Sequence, residues 1–243
     1  PEVIAGGVCP FETLEGACNA TIATIQMGIP VARIELLDEI QVAASNDYSK
    51  LSLVVKPTLF LEFHGSESSV AEQSEMFSEI AADNGGGPLE WSTDPEERNK
   101  LWAARHDAYW ASIALAPGKK AIVSDVCVPI SRLAECVTET KQDILDSGMV
   151  GPIVGHVGDG NFHSSLMVDV DDPEELAKAK GIMDRIVERA MAMDGTCTGE
   201  HGVGEGKIKF LEKEHGPGVA YMKMIKKALD PDNIMNPGKM LNL

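Results

Sequence analysis

The sequence predicts an α+β fold: a ferredoxin-like antiparallel sheet with helices on one face, followed by a helical C-terminal tail. Three observations predict it. Strand–helix–strand order occurs twice over along the chain. Turn signals join strands as hairpins, the clearest being Gly158-Asp159-Gly160 between two apolar runs. Start and stop residues punctuate the helical stretches. The order is compatible with a duplicated unit, although no sequence repeat demonstrates one.

The elements follow in order. "EVIAGGVCP" reads as a short strand. "FETLEGACNATIATIQMG" places Leu14, Cys18, Ile22 and Ile25 at helical spacing, and Gly28 stops it. "VARIELLD" is a strand leading into a helix around "DEIQVAASN". "PTLFLEFHG" is a strongly apolar strand, and "SSVAEQSEMFSEIAADNGG" an amphipathic helix with a glycine stop. "PLEWS" is a further short strand. Across "DPEERNKLWAARHDAYWASIAL" one helix is expected, with Asp94 as N-cap and Pro95 in the first turn. "AIVSDVCVP" is a strand, and "SRLAECVTETKQDILDSG" a helix capped by Ser131. "GPIVGHV" and "NFHSSLMVDV" are strands on either side of the glycine turn. In the long stretch that follows, Leu176, Ile182, Met183, Ile186, Val187 and Ala190 share one face. Asp172 and Pro173 start this helix and Gly195 ends it. Helical stretches and "DPDNIMNPGKM" close the chain.

A chain of 243 residues can bury a sizeable core. Its formal net charge of −17 disfavours nucleic acid and anionic membrane surfaces, and requires local cations wherever an anionic ligand binds. No apolar run reaches the length of a transmembrane helix. The opening "PEVIAGGVCP" has neither the basic nor the apolar region of a signal peptide. The five cysteines form no C-x-x-C and are expected to be buried thiols in a reduced compartment. Trp91, Trp102 and Trp110 read as core or domain-interface residues.

Two glycine-rich segments carry the chemistry. In "GHVGDGNFH", His156 and His163 lie on either side of the turn. Seven residues apart on one strand they would face opposite ways. Folding back at Asp159-Gly160 can bring them together, whereas Gly158 and Gly160 make a helix costly. Alone, the stretch could be no more than a hairpin turn. The second segment, "GTCTGEHGVGEGK", holds Glu200 and His201 in a helix-breaking loop. A solvated carboxylate and a surface histidine would explain each residue singly; two glycine loops holding all four suggest a site. His156, His163 and Glu200 form a two-histidine, one-carboxylate set suited to Zn²⁺ or Mn²⁺, with His201 left as a base. The same loop lacks G-x-G-x-x-G after a strand and a Walker-type lysine, which disfavours nucleotide phosphates.

Together with the ending "LDPDNIMNPGKML", these segments resemble the C-terminal half of FAD-linked 2-hydroxy-acid dehydrogenases of the vanillyl-alcohol oxidase superfamily. D-lactate dehydrogenases of the cytochrome-linked type are the nearest branch. "PVARIELLDE", "SKLSLVVKPTLFLEFHGS" and "SDVCVPISRL" fit as well, so the likeness covers nearly the whole chain. Glycolate oxidase FAD subunits and D-2-hydroxyglutarate dehydrogenases share the motifs. The resemblance implies oxidation of a small D-2-hydroxy acid, D-lactate favoured and glycolate next. It implies FAD, held mostly by an N-terminal domain to which nothing here corresponds, and a divalent metal on His156, His163 and Glu200. It implies His201 as base, Arg105 and Lys120 on the substrate carboxylate, and Asn161, Asn236 and Lys239 near the flavin. Ser165 stands where hydroxyglutarate enzymes carry asparagine, which disfavours a dicarboxylate. Residues 1–200 would be the cap or substrate domain and 201–243 a tail packing on the flavin domain. A homodimer is compatible. The expected compartment is the cytoplasm or the mitochondrial matrix, with peripheral contact to the inner membrane allowed. Two rival readings stand: a metal-dependent hydrolase on the same three ligands, and a non-catalytic cap that docks on another chain.

Overall fold

The computed structural model describes all residues 1–243. Strands β1 (Val3–Pro10), β2 (Val31–Leu37), β3 (Thr58–Gly65) and β4 (Glu90–Ser92) alternate with helices α1 (Leu14–Gln26), α2 (Glu39–Ser49) and α3 (Glu67–Asp83). Helices α4 (Pro95–His106) and α5 (Ala108–Ala114) lead to strands β5 (Lys120–Val123) and β6 (Val126–Cys127). Helix α6 (Leu133–Ser147), strands β7 (Ile153–Gly155) and β8 (Asn161–Val168) and helix α7 (Pro173–Ala192) follow. The tail carries α8 (Ile208–His215) and α9 (Gly218–Leu229).

All strand pairs are antiparallel, in the order β4-β1-β3-β2-β7-β8-β5, with β6 also on β8. The duplication that the sequence leaves open is visible here. The first unit is β1-α1-β2-β3-α3-β4 in the order β4-β1-β3-β2. The second repeats it as β6-α6-β7-β8-α7, with an isolated bridge from Thr196 to Cys127 in the place of the fourth strand. The two units join edge to edge where Leu36 and Leu37 of β2 pair with Gly155 and Val154 of β7.

The main core lies between the sheet and α1, α3, α6 and α7. It is built from residues such as Leu36, Leu61, Phe63, Phe77, Ile144, Phe162 and Ile186, all buried. The other face is not bare, which corrects the expectation of helices on one side. Val8, Leu37, Phe60 and Val154 point there and pack against Val42 of α2 and Ala108 of α5, with Leu101 and Trp102 of α4 alongside. The apolar run "TLFLEF" in β3 reflects this, because a strand covered on both faces loses its polar alternation.

Asp94 and Asp172 cap their helices as expected, accepting from Glu96 N at 2.9 Å and Glu174 N at 2.9 Å. Ser131 does not cap α6. It lies inside a 3₁₀ turn, Ile130–Arg132, that follows Pro129. The helix expected over 94–115 breaks at Asp107 into α4 and α5. The Gln41 side chain draws α5 onto α2, donating to Ala108 O at 3.0 Å and accepting from Ser112 Oγ at 2.7 Å. The expected strand 121–129 also breaks, at Ser124-Asp125, and that break proves central to the site. All five cysteines are free thiols. Burial pushes Cys9, Cys136 and Cys197 up to about 12. Trp91 and Trp110 are 42% and 56% exposed, so neither is a core residue.

Candidate active site

The glycine turn does fold the histidines together. After β7 the chain makes a 3₁₀ turn, Val157–Asp159, and Gly160 at φ +79° returns it into β8. A Cβ on Gly160 would collide with Val128 O, so only glycine fits. His163, paired in register with Val154, points to the α4–α5 face of the sheet. The rings of His156 and His163 stand 6.1 Å apart and near perpendicular.

Both imidazoles are oriented from behind. His156 Nδ1–H donates to Glu35 Oε1 at 2.7 Å, and His163 Nδ1–H to the Ser124 carbonyl at 3.1 Å. A carboxylate and a carbonyl can only accept, so each Nδ1 carries a proton, and in the neutral imidazole each Nε2 is the atom left with the lone pair. Those Nε2 atoms converge on Glu200 Oε1, at 3.5 Å from His156 and 3.0 Å from His163. One ligand atom from each of the three residues lies within 4.8 Å of the others. The donor set fits a divalent ion: two neutral imidazoles and one carboxylate, with their outer nitrogens anchored in the way that metal-binding histidines require. The hydrogen bond with Glu35 raises His156 above the ordinary histidine value, and burial lowers His163.

His201 stacks on His163 with ring centroids 5.0 Å apart, and its Nε2 lies 3.6 Å from Glu200 Oε1. It is half-exposed, at the open side of the cluster. The structure therefore brings His156, His163, Glu200 and His201 into one place.

Arg105 reaches the same place from α4. Its Nε and Nη2 donate to Glu35 Oε2 at 3.1 and 2.8 Å, so one buried carboxylate holds both Arg105 and His156. A cleft of about 330 Å³ lies alongside, lined by Arg33, Glu35, Trp102, Arg105, His106 and His156. The Arg33 guanidinium stacks over Trp102 at 4.9 Å. Lys120 is not brought in. It is exposed, opposite Val168, five residues along β8 from His163, or roughly 17 Å at strand rise.

Asn161 is buried. Its amide donates to Asp125 Oδ1 at 3.0 Å and Val126 O at 2.8 Å, while its own Oδ1 has no partner. Asn236 sits at φ +47° in an exposed turn of the tail. Lys239 pairs with Glu205, and Met240 N donates to Gly204 O at 2.7 Å, which ties that turn to the loop just after His201.

Glu35 and Asp125, which the sequence reading missed, hold the residues of this cluster through buried hydrogen bonds. Asp125, at the break between β5 and β6, is 2% exposed and accepts from the whole 198–201 loop. Burial alone would raise its carboxyl. The N–H of His201, the hydroxyl of Thr198, the N–H of Glu200 and the amide of Asn161 hold it far below the carboxylate range instead. One signal was available for both: a lone acid inside an apolar strand, "RIELL" and "IVSDVCV", is a buried charge in need of partners.

The family described as FAD linked oxidases, C-terminal domain, matches residues 1–240. The chain belongs to that family. Among the similar proteins, one from zebrafish (Danio rerio) named "Probable D-lactate dehydrogenase, mitochondrial" is 50% identical, over 100% of this chain and 49% of its own length. An Arabidopsis thaliana protein named "D-lactate dehydrogenase [cytochrome], mitochondrial" is 43% identical, over 99% of this chain and 43% of its own length. The chain thus spans about half the length of the curated relatives it matches. In fold it is similar to 4-ethylphenol oxidase from Gulosibacter chungangensis, with a TM-score of 0.73 at 16% identity over 99% of this chain and 54% of that one.

Proposed function

We propose that this chain is the substrate- and metal-binding half of a flavin-dependent dehydrogenase that oxidises a D-2-hydroxy acid to the 2-oxo acid, D-lactate first and glycolate second. The observation that carries this is the convergence of His156 Nε2, His163 Nε2 and Glu200 Oε1, with both Nδ1 atoms anchored, beside an arginine-lined cleft in a chain of net charge −17. The names of the zebrafish and Arabidopsis relatives support the substrate class. A divalent ion such as Zn²⁺ or Mn²⁺ on these three residues would supply Lewis acidity toward the hydroxyl and carboxylate oxygens, and FAD would supply the hydride acceptor.

The chain's own residues do the rest. His201 Nε2 takes the hydroxyl proton as the C2 hydrogen leaves with its electron pair, so the carbon loses one hydride and the oxygen one proton. Arg105, fixed by Glu35 through Nε and Nη2, keeps Nη1 for the substrate carboxylate and neutralises charge in the cleft. Lys120 of β5, opposite Val168, is too far from His163 to share that role. Asn236 and Lys239 are assigned to the flavin side, and Asn161 acts by supporting Asp125. Residues 201–243 pack on the flavin-binding half; the exposure of Tyr221, Met224, Ile225 and Leu229 on α9 supports this. The relatives' names support a mitochondrial location. No helix is long and apolar enough to cross a membrane.

The test supplies the flavin-binding half. D-lactate should then bleach the flavin band and reduce an artificial acceptor, and a chelator should stop both. Metal-dependent ester or amide hydrolysis by the 243 residues alone, with no flavin reduction by any 2-hydroxy acid, would replace this reading with a hydrolase.

A further inference from the structure

The loop 198–201 contains Gly199 and runs straight into Gly202, Gly204 and Gly206, and ordering such a segment costs backbone entropy at every residue. Something must hold it in the one conformation that brings Glu200 to the histidines. The hydrogen bonds identify the group. Gly199 N, Glu200 N and His201 N, three successive peptide donors, converge on the Asp125 carboxylate at 2.9, 3.1 and 3.0 Å. Thr198 Oγ adds a fourth donor at 2.8 Å. Successive N–H groups turned inward in this way form a concavity that binds anions, and here the anion is the chain's own side chain. Lys207 Nζ closes the arrangement, donating to Asp125 O at 2.5 Å.

With three consecutive nitrogens facing Asp125, the Glu200 and His201 side chains are left to face outward. Glu200 Oε1 meets His163 Nε2 and the His201 ring lies on His163. The seat is tight. A Cβ on Gly199 would collide with the Asn161 amide and come within 2.7 Å of Asp125 Oδ1. Asp125 thus has a position, a set of donors and a consequence that a merely space-filling acid would lack.

We propose that Asp125 is the positioning residue that presents Glu200 as a ligand and His201 as a base, by gathering the N–H groups of 199–201 onto its carboxylate. This rests on the proposed roles of Glu200 and His201. It acts mainly through the loop and is itself no ligand, although its Oδ1 also lies 3.7 Å from His163 Nδ1. The strand break at Ser124-Asp125 exists in this account to turn that carboxylate toward the loop instead of into a ladder position.

The experiment titrates the 243-residue chain with Co²⁺, whose visible absorption reports ligand geometry, and follows amide hydrogen exchange at Gly199, Glu200 and His201 alongside thermal unfolding. In Asp125→Asn, one acceptor oxygen becomes a donor and the charge is lost. Co²⁺ affinity should fall about 10- to 100-fold, as for loss of an outer-sphere support, with an altered spectrum and faster exchange at the three amides. If Asp125→Asn does not fold, Thr198→Val decides, since it keeps the buried carboxylate; it should weaken Co²⁺ by about 3- to 10-fold through one lost hydrogen bond. Unchanged Co²⁺ affinity and unchanged exchange in the folded variant would overturn the proposal. A wild-type chain that binds no Co²⁺ would overturn the metal reading instead. The exchange rates would then still judge Asp125, faster exchange in the variant supporting its hold on the loop and unchanged exchange refuting it.

Discussion

Glu35 joins two residues that the sequence keeps far apart: Arg105, 70 positions away, and His156, 121 positions away. One oxygen takes each partner, so Arg105 of the cleft and His156 share a single anchor. Glu35→Gln should therefore lower divalent-metal affinity by about 10- to 100-fold without touching a ligand atom, in a metal titration of the purified chain. At Glu200 and His201 the expectation divides. Glu200→Ala should lose the metal. His201→Ala should keep it and, with the flavin half supplied, lose about 10²- to 10⁴-fold in turnover, because a base acts on the hydroxyl and not on the ion. A metal assay beside D-lactate-dependent acceptor reduction checks both variants; equal metal loss would make His201 a ligand. His156, His163, Glu200 and His201 were legible in the sequence because glycine loops marked them. Glu35 and Asp125 were not, because local patterning shows an acid in a strand but not the partner that a distant segment brings to it.

At the scale of elements, α6 and α7 are held over the main core by a surface clamp as well as by apolar packing. Arg185 Nε donates to Asp143 Oδ2 at 2.9 Å, and Arg189 Nε to Glu139 Oε2 at 3.1 Å. The bond to Arg185 holds the Asp143 carboxyl below the usual range. A depressed folded value means the stabilisation is present above the unfolded carboxylate value, about 3.9, and is lost as pH falls through the folded one. Asp143→Asn should accordingly cost about 1 kcal/mol or less at neutral pH, since Arg185 is half-exposed. Its unfolding curve should merge with that of the wild type in strong acid, in urea titrations run across pH. A penalty that persists there would assign the loss to packing. Most elements could be read from period and caps, since each rests on local chemistry. The features that could not be read were tertiary in origin. The 94–115 helix breaks at Asp107, where Gln41 of α2 holds the start of α5, and the second helical layer was hidden in the double-sided run of β3. That layer carries Arg105, so the face expected to be bare is the one that holds the site.

For the whole molecule, two ferredoxin-like units join through β2 and β7, and Glu35 of β2 links Arg105 at the end of α4 to His156 beside the β7–β8 turn. The candidate site lies where the two halves of the duplication meet: both glycine loops come from the second half, and Glu35 comes from the first. The zebrafish and Arabidopsis relatives are about twice as long as this chain. The isolated 243 residues should leave gel filtration colourless after incubation with FAD; a stoichiometric flavin band would show that the tail holds the cofactor unaided. The three residues proposed to hold a metal all belong to this chain, so that proposal can be tested without any other part. Elemental analysis after purification without chelator, followed by Co²⁺ titration, should give one divalent ion per wild-type chain and none in the His156→Ala, His163→Ala double variant. Full occupancy in the double variant, or a folded wild-type chain that takes up no ion, would contradict it.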